Sequence, residues 1–259
     1  MQRALDGCCK GEEDVHIWHM AANSDIPAGI EDPHIDLRDT FLTTFELLRI
    51  AREYKIASFN FASSSAIYGD LGDVPAHEAI GPLEPISNYG AMKLASEAQI
   101  RAAVEAFLPR ANIFRFPNVI GAPATHGVIV DFVRKLRSTP SRLEVLGNGS
   151  QRKPYLHVDD LVDAMLFIER DATGRYNVVN IGPRDVGVSV RFIAEAVRDR
   201  VSPKAEIAFG EGDRGWVGDV PRFNYDTGRL SGMGWEPRLD SQAAVLRAVD
   251  EIARQEGFD

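Results

Sequence analysis

Cysteine is scarce. The chain of 259 residues has two, Cys8 and Cys9, and they are adjacent. Neighbouring thiols neither staple a fold nor supply a zinc quartet, so no disulfide framework and no metal site are expected. Long apolar runs are missing too. The longest, such as Ala164-Met165-Leu166-Phe167-Ile168, fall far short of the ~20 residues that a membrane helix needs. The first residues, Met1-Gln2-Arg3-Ala4-Leu5-Asp6, lead into acidic Glu12-Glu13-Asp14 and hold no apolar stretch of the kind that directs secretion. Positive charge is in deficit, with Lys+Arg 29 against Asp+Glu 38 and a net charge of −9. Without a basic block such a surface is a poor match to phosphate backbones. The expectation is a cytoplasmic protein with no nucleic-acid partner and no membrane partner.

What the chain does have is core material: 44% of its residues are hydrophobic, ordinary for a domain that buries a real interior. Short apolar runs alternate with segments of helical period. Val15 to Ala22, Ala57 to Ala62, Ala111 to Phe116 and Tyr176 to Ile181 read as strands. Thr40 to Tyr54, with Phe41, Phe45 and Leu48 on one face, reads as a helix, as do Tyr89 to Phe107 and Val158 to Glu169. This alternation predicts an α/β fold with a parallel sheet covered by helices on both faces. Such sheets bind ligands beyond the carboxyl ends of their strands. The polar tails His19 to Asn23, Ser63 to Ser65 and Pro117 to Gly121 would gather there. Residues 123–154 and 183–259 break the rhythm and read as a smaller substrate-binding region, set beside a sheet domain of 1–122 plus about 155–182.

Tyr89 and Lys93 stand four residues apart, on one face of the expected helix. An ammonium beside a phenol favours the phenolate, which predicts a lowered pKa and an acid/base role for Tyr89. The spacing alone is common, and a solvent-exposed helical pair has the same pattern. Ser64, at the end of a strand about 25 residues earlier, adds a hydroxyl that can hydrogen-bond a substrate oxygen.

Five segments occur in order: His19-Met20-Ala21-Ala22, Ser64 with Tyr68-Gly69, Tyr89 with Lys93, Arg115-Phe116-Pro117-Asn118-Val119-Ile120-Gly121, and His157-Val158-Asp159-Asp160. Together they resemble the extended short-chain dehydrogenase/reductases, and among these the NAD-dependent nucleotide-sugar epimerases and dehydratases of the UDP-glucose 4-epimerase type. The resemblance implies a Rossmann-like doubly wound sheet, NAD as cofactor, a UDP-hexose as substrate and a homodimer paired through the helices at about 40–54 and 89–107. It implies Ser64, Tyr89 and Lys93 as catalytic residues. It places His19, Ala21, Ala22, Ser63 and Pro117, with Tyr89 and Lys93, at the cofactor. It places Asn118, Gly127, Val128, Lys153 and Arg222, with Ser64 and Tyr89, at the substrate; relatives carry arginine where Lys153 stands. The implied reaction is transient oxidation of a sugar hydroxyl, with Tyr89 as acid/base, hydride transfer to NAD and its return to the other face of the carbon. Dehydratases of this kind carry Asp-Glu after the catalytic Ser/Thr, where this chain has Ser65-Ala66.

The family's glycine-rich turn for the dinucleotide pyrophosphate has no counterpart before Val15, where only Gly7 and Gly11 occur. Gly210-Glu211-Gly212-Asp213-Arg214-Gly215 matches the glycine spacing but continues into Trp216-Val217-Gly218-Asp219-Val220-Pro221 rather than a helix, and its acids would repel a pyrophosphate. The expectation is that the sheet domain starts near the family's fourth strand, with a start upstream of Met1 or a second chain completing it. A different class of function remains alongside the enzyme: a non-catalytic relative that binds nucleotide sugars through Asn118, Val128 and Arg222. A reductase or dehydratase acting on a related sugar is a third reading.

Overall fold

A computed structural model describes residues 2–9, 11–12, 14–212 and 223–259. In chain order its elements are α1 (Gln2–Cys9), β1 (Val15–His19), α2 (Ile26–Glu31), α3 (Pro33–Asp36), α4 (Thr43–Ala51), β2 (Ile56–Ala62), α5 (Asn88–Ala106), β3 (Ala111–Arg115), β4 (Asn118–Ile120) and α6 (Val128–Ser138). They continue with β5 (Arg142–Val145), β6 (Arg152–Lys153), β7 (Tyr155–His157), α7 (Val158–Asp171), β8 (Tyr176–Asn180), β9 (Val188–Ser189), α8 (Val190–Val201), β10 (Glu206–Phe209), α9 (Gly228–Gly232) and α10 (Ser241–Gln255). Two compact units result: Met1–Asp70 with Glu78–Phe116 and Met165–Ile181, and Leu71–His77 with Pro117–Ala164 and Gly182–Asp259.

The first unit is an α/β layer structure, as the alternating pattern predicts. Its sheet has the order β1-β2-β3-β8, and every pair is parallel. The register sets His19 beside Phe61, Ala62 beside Phe114 and Arg115 beside Asn180. The carboxyl ends of all four strands therefore share one edge. Strand side chains alternate between faces, and the two faces differ in chemistry. Ile17, Phe59, Phe61 and Ile113 pack on Leu48, Ala51, Ile100 and Val104 from the helices. Burying each large side chain of this kind contributes about 1.5–3 kcal/mol.

The opposite face carries a polar ladder beside the stacked Trp18 and Phe114. Asn112 Nδ2 donates to Asn60 Oδ1 at 2.8 Å, and Asn177 Nδ2 donates to Asn112 Oδ1 at 2.8 Å. Glu169 closes this ladder, taking hydrogen bonds from Ser58 Oγ at 2.6 Å and Arg110 Nη2 at 2.7 Å. Burial raises the Glu169 carboxyl, yet Ser58, His16 and Arg110 together hold it below the usual carboxylate range. Buried polar groups persist when every lone pair has a donor.

The helix expected over 40–54 is shorter and differently faced. A π-helical turn over Leu37–Leu42 leads into α4. That turn adds a residue per turn, so the spacing of Phe41, Phe45 and Leu48 does not make one buried stripe. Thr40, Thr44 and Leu48 face inward, and Phe45 is 40% exposed.

The second unit is built on α6, α8 and α10. Val130, Val133 and Leu136 pack with Ile193, Val197, Val245 and Val249 around Leu143 and Val145. β4 pairs parallel with β7, with Asn118 opposite Tyr155. That pairing groups residues 117–122 and 155–164 with this unit rather than with the main sheet.

Candidate active site

The first unit brings Ser64, Tyr89 and Lys93 together through two local devices. β2 ends at Ala62, and Ser64 caps a short 3₁₀ turn over Ser65–Tyr68, its Oγ accepting from Ala66 N at 3.1 Å. Ser87 caps α5, its Oγ accepting from Gly90 N at 3.1 Å, which puts Tyr89 in the first helical turn. Gly90 is required by the approach of the two segments: a Cβ there would lie 2.5 Å from the Ala66 carbonyl oxygen.

One turn further along α5, Lys93 is 2% exposed. Its Nζ donates to the Ala62 carbonyl oxygen at 2.5 Å. It lies 4.7 Å from the Phe61 ring centre and 5.7 Å from that of Tyr89.

The electrostatics correct one expectation. Lys93 does not lower the Tyr89 phenol in this chain. Burial pushes the phenol up to about 12; the Ser64 hydroxyl works against that and the Asp36 carboxylate adds to it. Burial also pushes the Lys93 amine down to about 7, against the pull of Glu97. Desolvation disfavours both charged forms at once, and it outweighs the attraction that the i, i+4 spacing predicted.

The other residues expected at the cofactor are placed unevenly. His19 ends β1 and is 4% exposed. Its Nε2 pairs with Thr44 Oγ1 at 2.9 Å, and its ring lies 5.5 Å from Phe61. Burial, then the Lys93 charge, push it down to about 4, so it is a neutral ring built into the apolar layer. Ala21 is exposed and Ala22 half-buried just beyond β1. Ser63 is fully buried, and its Oγ donates to Glu97 Oε1 at 2.5 Å.

Pro117, Asn118, Gly127, Val128 and Lys153 belong to the second unit, whereas Ser64 and Tyr89, also expected at the substrate, belong to the first. Asn118 is exposed at the start of β4, with its Nδ2 3.5 Å from the Pro154 carbonyl oxygen. Gly127, at φ +105°, precedes α6, and Val128 is its first residue. Lys153 ends β6 and is half-buried. Arg222 lies outside the described residues, as do residues 213–215 of the glycine-spaced stretch.

Sequence reasoning passed over a cluster behind Ser63. Glu97 is 4% exposed and Arg115 5% exposed. Arg115 Nη2 and Nε donate to the two Glu97 oxygens at 2.6 and 3.0 Å. Arg115 Nη1 also donates to Tyr68 Oη at 2.9 Å, and Tyr68 donates to Asn180 Oδ1 at 2.8 Å. The available signal was a lone arginine closing an apolar strand and an acid four residues after Lys93.

Comparison with known proteins decides the family. Residues 2–182 match the NAD dependent epimerase/dehydratase family. The chain belongs to it. Within the family, a solved UDP-galactose 4-epimerase shares 32% identity with a TM-score of 0.85, covering 98% of this chain and 81% of that one. The Thermus thermophilus UDP-glucose 4-epimerase, solved in complex with NAD, shares 25% identity with a TM-score of 0.81, covering 97% of this chain and 80% of that one. A GDP-mannose 3,5-epimerase of Oryza sativa subsp. indica is 27% identical over 252 residues. The chain spans 92% of its own length in that match but 64% of the rice protein. NAD is the family's cofactor. The donor set fits its nicotinamide-ribose half: an ammonium with three N–H groups, a phenol and the Ser64 hydroxyl lie within one helical turn and one strand end. Among the described residues, no glycine-rich turn joins a strand to a helix ahead of β1. No helix among them is long and apolar enough to cross a membrane, and no cluster of metal-ligating side chains occurs among them.

Proposed function

We propose that this chain is a nucleotide-sugar epimerase of the UDP-glucose 4-epimerase kind, with Tyr89 as its acid/base. The observation that carries the reading is the grouping of the Ser64 hydroxyl, the Tyr89 phenol and the Lys93 amine around the end of β2. In its phenolate form, which burial makes the minor form of the ligand-free chain, the Tyr89 oxygen takes the proton of the reacting sugar hydroxyl and later returns it. Ser64 hydrogen-bonds the same sugar oxygen and holds it against the phenol. Lys93 offers N–H groups to the ribose of the cofactor. NAD, when bound, supplies the two-electron acceptor that makes the oxidation reversible. Asn118, Gly127, Val128, Lys153 and Arg222 are assigned to the nucleotide diphosphate; an arginine suits bidentate phosphate contact.

Ser65-Ala66 in place of an acidic pair supports epimerisation over dehydration. Pairing of two copies through the helical segments at about 40–54 and 89–107 is part of the proposal, supported by Leu42 and Phe45, each 40% exposed. So is a cytoplasmic location, where NAD and nucleotide sugars are both available. The test is interconversion of UDP-glucose and UDP-galactose by the purified chain with added NAD. Conversion that Tyr89→Phe abolishes supports the reading; binding of the UDP-sugar without turnover favours a non-catalytic relative.

A further inference from the structure

Glu97 has no role in the reaction as described, yet it meets the site through the Ser63 hydroxyl. It stands one helical turn beyond Lys93 on α5 and is almost fully buried. Its Oε1 accepts from Ser63 Oγ at 2.5 Å. Ser63 follows Ala62, whose carbonyl oxygen receives the Lys93 ammonium at 2.5 Å. Both Glu97 oxygens are fixed from below by Arg115, which is itself tied through Tyr68 to Asn180 at the end of β8. The strand end on which Lys93 sits is thus fastened to the helix that carries Lys93, and the fastening group is a carboxylate.

We propose that Glu97 is a positioning residue for Lys93: anchored by Arg115, its carboxylate holds the Ala62–Ser63 strand end through the Ser63 hydroxyl and keeps the buried Lys93 side chain in its cationic, hydrogen-bond-donating form.

The physical reason is the burial of Lys93. Removing an amine from water disfavours its charge, and a nearby carboxylate restores part of what is lost. The charged and titratable groups that face Lys93 are Tyr89 and Glu97 from its own helix and His19 from β1, with Arg115 of β3 behind Glu97. His19 is held neutral and Tyr89 protonated, so Glu97 is the anion in this group that favours the ammonium. A neutral Lys93 would offer one N–H fewer to a ribose. The inference rests on the proposed function for its purpose, but not for its test.

The experiment follows the Lys93 Cε resonance by NMR against pH in the full chain carrying ¹³C-labelled lysine, without NAD or sugar. The chain has six lysines, and Lys93→Met assigns the signal. Glu97→Gln is expected to lower the Lys93 midpoint by about one pH unit, and Glu97→Asp, which keeps the charge, to leave it near that of the unaltered chain. If Glu97→Gln does not fold, the double variant Glu97→Met/Arg115→Met removes the pair without stranding a charge and is expected to shift the midpoint in the same direction. An unchanged midpoint in a folded variant of either kind overturns the proposal. A missing epimerase activity would not, because no turnover is measured.

Discussion

The Lys93 ammonium donates to the carbonyl oxygen of Ala62 at 2.5 Å and stands 5.7 Å from the centre of the Tyr89 ring. The lysine is therefore seated on the strand end and faces the phenol across its ring. In this chain burial keeps the phenol protonated, up to about 12, and brings the amine down to about 7.

The Tyr89 phenol is expected to titrate well above an ordinary tyrosine. The difference in absorbance near the phenolate band between the chain and Tyr89→Phe, followed against pH, reads it directly. A midpoint at or below the ordinary value of about 10 would contradict the dominance of burial.

His19 makes the fold sensitive to acid. Its folded-state pKa is depressed from 6.5 to about 4, so between those values the unfolded chain binds more protons. Stability is accordingly full above pH 6.5 and falls as the pH drops towards 4. Urea midpoints measured across this window should decline, and His19→Gln should flatten that part of the decline.

Arg115→Met is expected to destabilise the first unit by about 3–5 kcal/mol, because it leaves the Glu97 carboxylate buried without its partner. Denaturant unfolding measures it. A cost below about 1 kcal/mol would mean that the pair is solvated, as surface pairs are.

Gly90→Ala is expected to cost about 1–3 kcal/mol, since the added Cβ would lie 2.5 Å from the Ala66 carbonyl oxygen and backbone has to move. The same shift displaces the first turn of α5, so kcat should fall along with thermal stability.

Much of this was legible in the chain. The strands at Ile56–Ala62 and Tyr176–Asn180 follow from short apolar runs, and the helix at Asn88–Ala106 from the helical pattern of Tyr89 to Phe107. The grouping of Ser64 with Tyr89 and Lys93 follows once a strand end is set against a helix start. Other features depend on partners distant in sequence. Glu97 and Arg115 lie 18 residues apart and meet only when β3 pairs beside β2. The exposure of Phe45 depends on a π-helical turn that leaves no compositional mark. The sign of the Tyr89 shift depends on how deeply two side chains are buried, and spacing alone carries no depth.

Arg222→Ala tests the diphosphate contact proposed for that arginine, which the enzyme and a binding-only relative would share. It is expected to weaken UDP-sugar binding by about tenfold, the loss of one charge-assisted phosphate contact, while Tyr89→Phe leaves that binding intact. Calorimetry measures both; an equal loss from the two variants would contradict the separate roles assigned to them.

The most direct test of the account uses UDP-galactose carrying deuterium at C4, incubated with the chain and NAD in ordinary water. The account predicts UDP-glucose that retains the deuterium at C4, formed at least ~10²-fold more slowly by Tyr89→Phe. Product that has lost the label to solvent, or equal rates from the two proteins, would contradict it.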